Sequence, residues 1–170
     1  MNANPQHTKK VPQTPRRVLG LIASPRSYGN CELFTKEISQ HIEGEYTLRL
    51  IRLTSLNIKP CRGCYRCIMD QPCPNKDDME FLMNEIVEAD AVILSSPVYF
   101  LGANGIIKNI LDRGFLFYQI IRKTYGTPCI LLNFYGIKER IGMAPQMLQT
   151  MGAYLGFNVK ASVNIQAALP

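Results

Sequence analysis

The apolar positions of the chain fall into five segments with the patterns of β-strands. Residues 18–23, 91–96 and 129–134 are short, continuous apolar runs, which are typical of strands buried on both faces of a parallel sheet. Residues 46–53 and 157–165 instead alternate apolar and polar side chains, as strands with one exposed face do. The pattern predicts three interior strands, an edge strand at 46–53 and a fifth strand near the end.

Helical spacing of apolar residues fills the gaps between these strands. Gly44 ends the first helix, and Asp77 with Glu80 three residues later forms a candidate capping box before the second. The four predicted helices are 31–43, 78–89, 105–122 and 143–155. Buried strands that alternate with helices of this length require crossover connections, which build a mainly parallel sheet.

An α/β fold with five parallel strands follows from this order of elements. We expect a flavodoxin-like, doubly wound sheet with strand order 2-1-3-4-5 and helices on both faces, a three-layer α/β/α arrangement. That order puts segment 46–53 at an edge and the continuous apolar runs inside. A helix usually follows the fifth strand of such a sheet, but few residues remain after 165. We therefore expect either a shortened chain or another element over that face.

A length of 170 residues is typical of one domain. Residues 1–16 contain three prolines and no periodicity, so we expect a disordered tail followed by one domain over 17–170. Hydrophobic residues make up 46% of the chain, which excludes wholesale disorder. No apolar run approaches the roughly 20 residues that cross a bilayer, and the first residues lack the apolar stretch of a signal peptide. We expect a soluble, cytoplasmic protein with no membrane partner.

The formal net charge of +6 is concentrated at the N-terminus. Five of the nineteen Lys and Arg residues precede Glu32, the first acidic residue, and the remainder holds fourteen basic and thirteen acidic residues. The predicted domain is thus nearly neutral, and it lacks the basic stripe with interleaved aromatic residues that marks a nucleic-acid surface. We expect no nucleic-acid partner.

Polar residues follow the first strand, where a sheet of this order binds ligands between strands 1 and 3. Loop 24–31 leads directly into a helix and offers backbone N–H groups, two serine hydroxyls and the guanidinium of Arg26, all of which favour a phosphate. Gly29 permits close approach of the backbone. The alternative is a polar loop in which Asn30 only caps the helix. Neither G-x-G-x-x-G nor G-x-x-x-x-G-K-[ST] occurs, which disfavours a dinucleotide or a nucleoside triphosphate.

Apolar and aromatic residues follow the third predicted strand in segment 97–102. Such side chains at the mouth of a sheet suit a flat conjugated ring, which gains from stacking and from the exclusion of water. The alternative is that Tyr99 and Phe100 simply cover the core. Together the two loops would supply a positively charged site for a phosphate and an apolar site for a planar ring, on the two sides of one crevice.

Four of the six cysteines crowd into a loop at 61–74, after the second strand. They are Cys61, Cys64, Cys67 and Cys73. Thiolates are soft ligands that suit zinc or iron-sulfur clusters. Two intervals of three residues, with a fourth cysteine close behind and before Pro74, favour a 4Fe-4S cluster, while zinc and free thiols stay open as alternatives. Gly63 permits close approach of the backbone, and Arg62 and Arg66 would offset the negative charge of a cluster.

Three groups of residues resemble the NADPH-dependent FMN reductase superfamily, which has a flavodoxin-like fold: SPRSYGN at 24–30, SPVYF at 96–100, and Lys108 with Asp112 and Arg113. The spacing C-x2-C-x2-C-x5-C, followed by DDM, is similar to the iron-sulfur flavoprotein branch of that superfamily. The resemblance covers nearly the whole predicted domain, and the cysteine tetrad is its most specific part.

The resemblance implies FMN as a cofactor and assigns residues to it by position. The loop after the first strand would hold the FMN phosphate with Ser24, Arg26, Ser27, Gly29, Asn30 and Cys31. The loop after the third strand would border the isoalloxazine ring with Pro97, Val98, Tyr99 and Phe100. The four cysteines of the loop would bind a 4Fe-4S cluster.

The function that the resemblance implies is that of an FMN-binding oxidoreductase, an enzyme that passes electrons between ferredoxin or NAD(P)H and an acceptor. In that branch the cluster of one subunit lies near the flavin of a neighbour, so we expect a homo-oligomer, a dimer or a tetramer. Residues 114–121 could form part of its interface, although burial inside the domain explains them equally well. The alternatives are a cluster-free NAD(P)H-dependent FMN or quinone reductase and, outside enzymes, a zinc- or thiol-based redox sensor.

Two cysteines outside the loop call for separate interpretations. Cys31 stands where the family usually has Ser or Thr, so we expect weaker phosphate affinity from its poor S–H donor. A thiol at a helix N-terminus can have a lowered pKa and be reactive, but a small residue tolerated by its size is the interpretation we favour. Cys129 begins a buried strand and should be inert. Lys108 and Asp112, one helical turn apart, should form a surface pair.

Overall fold

The computed structural model describes residues 15–167 as six strands and five α-helices. The strands are β1 (Arg16–Ile22), β2 (Tyr46–Arg52), β3 (Ala91–Tyr99), β4 (Gly102–Ala103), β5 (Pro128–Tyr135) and β6 (Asn158–Gln166). The helices are α1 (Asn30–Gln40), α2 (Met79–Val87), α3 (Gly105–Asp112), α4 (Ile121–Thr124) and α5 (Ala144–Tyr154). Most of the predicted tail, residues 1–14, lies outside the described residues, and Arg16 already belongs to β1.

The five long strands form a parallel sheet in the order β2-β1-β3-β5-β6. This is the predicted flavodoxin-like order once the short strand β4 is set aside. Gly102 and Ala103 of β4 pair in antiparallel fashion with the end of β3, which makes a hairpin turned by Phe100 and Leu101. A two-residue strand carries no periodicity, so the sequence pattern did not predict it.

Apolar side chains cover both faces of the sheet and give the predicted three layers. On one face Leu21, Leu94 and Leu131 pack with buried residues of α2, α3 and α5. On the opposite face Ile22 and Ile93 pack with residues of α1. The alternation along each strand is what sends neighbouring residues to opposite faces. The two outer strands are the more exposed ones, as their alternating sequences predict, and Val159 and Val163 of β6 are exposed to solvent.

The single helix predicted at 105–122 is wrong in its extent. The α-helix ends at Asp112, a 3-10 helix follows over Gly114–Gln119, and α4 is only four residues long. Two causes are visible at the break: Gly114 has a low helix propensity, and Arg113 turns its side chain into the interior. Leu116 and Phe117 are buried in the domain core. No helix among residues 15–167 is both long and apolar enough to cross a membrane.

The predicted capping box at Asp77 and Glu80 is also wrong. Helix α2 begins at Met79 with Asp78 at the N-cap position, and no side chain caps it there by a hydrogen bond. Asp77 instead forms a buried ion pair with Arg113, 36 residues away. A buried carboxylate needs a cationic partner, and that requirement outweighs a cap worth about 1 kcal/mol. One carboxylate oxygen still accepts from the Met79 N–H at 3.3 Å.

Candidate functional site

The loops after β1 and β3 border one open cavity of about 460 Å³. Arg26 and Tyr99, which the sequence assigned to a phosphate and a ring, both line it. Eight of the ten predicted FMN residues border this cavity: Ser24, Arg26, Gly29, Asn30, Cys31, Pro97, Val98 and Tyr99. We call it the flavin cavity.

Ser27 and Phe100 are predicted FMN residues that do not line the flavin cavity. Phe100 is fully exposed at the tip of the β3–β4 hairpin, where it has a φ of 46°. The β3–β4 hairpin therefore contributes Tyr99, and not Phe100, to the lining of the cavity.

The flavin cavity has a third wall that the sequence analysis missed. Phe134 and Tyr135 end β5, Gly136 follows them, and Ala167 follows β6; all four line the cavity. The available signal was the aromatic pair Phe134 and Tyr135, followed by Gly136, at the end of the predicted strand 129–134. It was missed because only the loops next to the point where strand order reverses were considered.

Arg52, at the end of β2, binds the backbone of loop 24–31, the loop that is predicted to hold the phosphate. Its guanidinium donates to the carbonyl oxygen of Arg26 at 2.7 Å and lies 3.3 Å from that of Ser24. Its other terminal nitrogen donates to Glu32 at 2.6 Å. The Glu32 carboxylate also accepts from the backbone N–H of Tyr28, a residue in the left-handed region with a φ of 56°. One ion pair thus fixes both ends of the loop 24–28.

Glu32 stays ionised at the base of this loop. Hydrogen bonds from Lys36, Arg52 and the Tyr28 N–H lower the pKa of its carboxyl to about 2, against a small opposing effect of burial. The negative charge lies in the first turn of α1, where it is favourable to the helix dipole. Lys36 and Arg52 compensate it, which leaves the Arg26 guanidinium available to a ligand.

Cys31, the second residue of α1, is buried, which disfavours the reactive thiolate form of its side chain. Burial raises the pKa of the Cys31 thiol to about 12, although a hydrogen bond with Ser95 has the opposite effect. The suggestion of a lowered pKa is therefore wrong, and the interpretation as a small core residue is the one the structure bears out. Cys129 is likewise buried, which raises the pKa of its thiol to about 12.

The flavin cavity fits a phosphate-bearing aromatic cofactor such as FMN. Its volume lies within the range of about 300–1,000 Å³ that is usual for small-molecule sites. Gly29, not Asn30, is at the N-cap position of α1, so the N–H groups of Asn30 and Cys31 at the start of the helix have no helical partners. With the guanidinium of Arg26 they form an anion site, while Tyr99 and Tyr135 offer apolar faces to a ring.

The four cysteines of the loop border a second cavity, of about 170 Å³. Cys61 and Cys64 are exposed, whereas Cys67 and Cys73 are half-buried. The Gly63 N–H donates to the Sγ of Cys61 at 3.4 Å, and Gly63 has a φ of 61°, which favours glycine at this turn. We call this space the cysteine cavity. Among the described residues, it shares no lining residue with the flavin cavity.

Hydrogen bonds close the cysteine loop at its base. Asn57 and Asp78 are joined twice, from the Asn57 N–H to the carboxylate at 2.7 Å and from the Asp78 N–H to the Asn57 carbonyl at 3.0 Å. The Asn75 amide donates to the Pro60 carbonyl at 2.9 Å. The two chain segments that enter and leave the loop are therefore held side by side.

Arg113 and Asp77 form the buried part of this closure, with side chains only 3% and 1% exposed. Asp77 also accepts from the Lys59 N–H at 2.8 Å. Burial alone would raise the pKa of Asp77, but the hydrogen bonds from Arg113 and Lys59 outweigh it, so this pKa lies below its usual value. The second terminal nitrogen of Arg113 lies 3.4 Å from the Sγ of Cys73.

The cysteine cavity fits an anionic group wider than one ion. Within residues 15–167 no three Cys, His, Asp or Glu side chains converge closely enough to hold a single metal ion. A four-iron cluster instead takes four thiolates spaced around a larger group, and all four cysteines border this cavity. Arg113 borders the same space, and its Nε is buried with no protein partner. An unpartnered buried donor beside four thiols is favourable to a negatively charged occupant.

Comparison with curated proteins gives relatives that bear one name. An iron-sulfur flavoprotein of Methanocaldococcus jannaschii is 37% identical over 57% of this chain and 51% of its own length. An iron-sulfur flavoprotein of Clostridioides difficile is 28% identical over 83% of this chain and 66% of its own length. The chain spans about half the length of the first relatives it matches. These similarities confirm the resemblance to iron-sulfur flavoproteins that the cysteine spacing predicts.

Comparison with solved structures and with family models leads to the same fold. The Trp repressor binding protein of Bacillus subtilis superposes with a TM-score of 0.63 over 90% of this chain and 86% of that one, at 16% identity. Identity this low shows a shared fold and no more. The model of the NADPH-dependent FMN reductase family matches residues 16–168, which is nearly the whole sequence. The chain belongs to the NADPH-dependent FMN reductase family.

Proposed function

We propose that the chain is the FMN-binding part of a flavin-dependent oxidoreductase that also carries a 4Fe-4S cluster. The observation that carries the proposal is the meeting of Arg26 and Tyr99 at one cavity, because these residues come from the two loops that the sequence resemblance assigns to FMN. The fold class alone would not support a cofactor, since one fold serves many functions.

The flavin cavity has a charged end and an apolar end, which would bind the phosphate and the ring of FMN respectively. Arg26 and the N–H groups at the start of α1 would hold the phosphate, and Arg52 keeps that loop in place through its backbone carbonyls. Pro97, Val98 and Tyr99 would pack against the ring and exclude water from it. FMN supplies chemistry that no side chain offers, because it accepts two electrons and can release them singly.

The cysteine loop would supply the second redox centre. Cys61, Cys64, Cys67 and Cys73 border one cavity and provide four soft sulfur ligands, the number that a 4Fe-4S cluster needs. The curated relatives are named iron-sulfur flavoproteins, which supports the same group in this chain. A cluster carries one electron at a time, so together with a flavin it would connect one-electron and two-electron partners.

The partners of this reaction rest on the resemblance. We propose ferredoxin or NAD(P)H as the electron donor and a dimer or a tetramer as the working form. Phe115 and Tyr118 of segment 114–121 are exposed and stacked, with ring centroids 6.1 Å apart, while Leu116 and Phe117 are buried in the domain. The segment thus retains two aromatic side chains that a second subunit could cover.

Anaerobic purification followed by assays for FMN, iron, sulfide and zinc tests the proposal. About four irons and four sulfides per chain, together with flavin, are the expected result. Flavin with NAD(P)H oxidation but without iron would favour the cluster-free reductase, and zinc without flavin would favour the sensor. Either of these two results would overturn the two-centre oxidoreductase.

A pair of cysteine variants separates the two centres. Cys64→Ser should remove iron and sulfide and leave FMN bound, because Cys64 borders only the cysteine cavity. Cys129→Ala, a change at a buried cysteine outside the loop, should leave both in place. If Cys64→Ser lost flavin and kept its iron, the assignment of the two cavities would be wrong.

A further inference from the structure

Arg113 is a buried cation whose polar partners all belong to the cysteine loop or its base. One terminal nitrogen is paired with Asp77 and lies 3.5 Å from the Lys59 carbonyl. The other lies 3.4 Å from the Sγ of Cys73. Arg113 directly follows α3 and is 40 positions away from Cys73 in the sequence.

We propose that Arg113 positions Cys73 and, as the cation and donor next to its sulfur, stabilises the reduced state of the group that the four cysteines bind. This inference rests on the proposed function, since it takes that group to be an anionic iron-sulfur cluster. It adds a residue outside the cysteine motif whose contribution can be measured separately from the ligands.

The geometry of the guanidinium explains why an arginine is suited to this place. Its planar fork directs one nitrogen to Asp77 and the other to Cys73 at the same time. A lysine ammonium is a single point on a flexible stem and cannot hold two partners in this fixed arrangement. Asp77, itself fixed by the Lys59 N–H, keeps the fork from rotating away from the sulfur.

The exposed arginines of the loop are poorer candidates for charge balance. Arg62 and Arg66 were expected to fill this role, but both are exposed to solvent, and Arg66 bonds to Gln71 at 3.2 Å. A charge that faces water is screened more strongly than a buried one, because the effective dielectric constant is about 80 in bulk water and about 20 within a protein. Of the described arginines that border the cysteine cavity, Arg62 is exposed and Arg113 is buried.

A cation and a donor beside a ligating sulfur favour the more negative, reduced state of a cluster and raise its reduction potential. Removal of Arg113 alone would leave Asp77 charged and buried without a partner, which is strongly destabilising. The test variant is therefore the double change Arg113→Met with Asp77→Asn. Arg113→Lys keeps the charge but loses the fork, and Arg66→Gln removes an exposed charge of the same sign.

The experiment is an anaerobic redox titration of the full chain, followed by the spectrum of the cluster, with iron, sulfide and FMN assayed in each sample. The double variant removes one positive and one negative charge, so its net charge is unchanged. The loss of the guanidinium next to Cys73 should lower its reduction equilibrium constant about tenfold, which is about 59 mV for a one-electron couple. Arg113→Lys should shift less, and Arg66→Gln should match the wild type. FMN content should be equal in all four proteins, because Arg113 does not line the flavin cavity.

Each outcome bears on one of the two proposals. Loss of iron from the folded double variant, with FMN retained, supports the positioning role. An unchanged potential, or an equal shift in Arg66→Gln, overturns the inference and leaves the proposed function standing. A wild-type protein that holds FMN but no iron and sulfide overturns the cluster itself. If the double variant does not fold, Arg113→Lys decides between the outcomes. A reduction equilibrium constant lowered about threefold or more would support the inference, and an unchanged constant would overturn it.

Discussion

The carboxylate of Glu32 accepts a 2.6 Å hydrogen bond from the guanidinium of Arg52. Arg52 also donates to the carbonyl of Arg26, and Glu32 accepts from the N–H of Tyr28. The pair therefore fastens the edge strand β2 to the loop that borders the flavin cavity. The shape of this loop depends on two residues that do not line the cavity themselves.

The Glu32→Gln variant should show how much this ion pair contributes to the free energy of unfolding at each pH. The folded protein lowers the pKa of Glu32 to about 2 from 4.5, so ionised Glu32 stabilises the fold above pH 4.5. That stability is lost as the pH falls from about 4.5 through 2. At neutral pH the variant should lose about 1–3 kcal/mol, and its stability should decline less steeply in acid.

Urea unfolding at a series of acid pH values measures this effect. Glu37→Gln, at an exposed position on the same helix, is the matched control and should follow the wild type. Equal slopes for the wild type and Glu32→Gln would contradict the role given to the Glu32–Arg52 pair.

Arg26→Ala should weaken FMN binding. The guanidinium lines the flavin cavity next to the start of α1, and a charge-assisted contact to phosphate is worth about 1.5–3 kcal/mol, or tenfold and more in Kd. Titration of FMN fluorescence with the apoprotein measures Kd. The matched control is Arg122→Ala on α4, since Arg122 lines neither cavity. Equal affinities in both variants would remove Arg26 from the phosphate site.

Tyr99 and Phe100 are adjacent aromatic residues with different expected effects. Tyr99 lines the flavin cavity, so Tyr99→Ala should raise the Kd for FMN about fivefold or more through lost stacking. Phe100 projects from the hairpin tip outside the cavity, and Phe100→Ala should leave the Kd unchanged. A larger loss in Phe100→Ala, measured by the same fluorescence titration, would mean that the bound ring reaches beyond the cavity described here.

Gly142 supports the β3–β4 hairpin through close contact. It has a φ of 56°, and an added Cβ would lie 2.6 Å from the Cβ of Leu101 and overlap its carbonyl oxygen. Gly142→Ala should therefore lower the free energy of unfolding by about 1–3 kcal/mol. Gly105→Ala, where an added Cβ meets no atom within 4 Å, should be neutral or stabilising. Thermal unfolding of both variants checks this, and an equal Tm for the two would contradict it.

The sheet and the flavin cavity were predictable because each follows from a local pattern. Continuous apolar runs at β1, β3 and β5 identify interior strands, and the topology of a doubly wound sheet then places the loops that follow them at one edge. That rule brings Arg26 and Tyr99 together, although they are 73 positions apart. A topological rule does not specify side-chain direction, and Phe100, predicted to border the ring, is exposed at the hairpin tip and does not line the cavity.

The two ion pairs that hold the loops of the two cavities in place could not be predicted from the sequence, for a physical reason. Asp77 and Arg113, like Glu32 and Arg52, are charged residues on different elements, and a sequence offers many such pairs. Only packing decides which of them are buried together. The break after α3 depends on the same contact, because a continuous helix would follow from the apolar spacing alone.

The closed base of the cysteine loop means that the chain leaves and re-enters the α/β domain at almost one point. Asn57 and Asp78 are hydrogen-bonded to each other, so the twenty residues between them start and end side by side. The proposed cluster site could therefore be altered within this segment with little effect on the ends of β2 and α2. Arg113 is the residue outside this segment that would have to change with it.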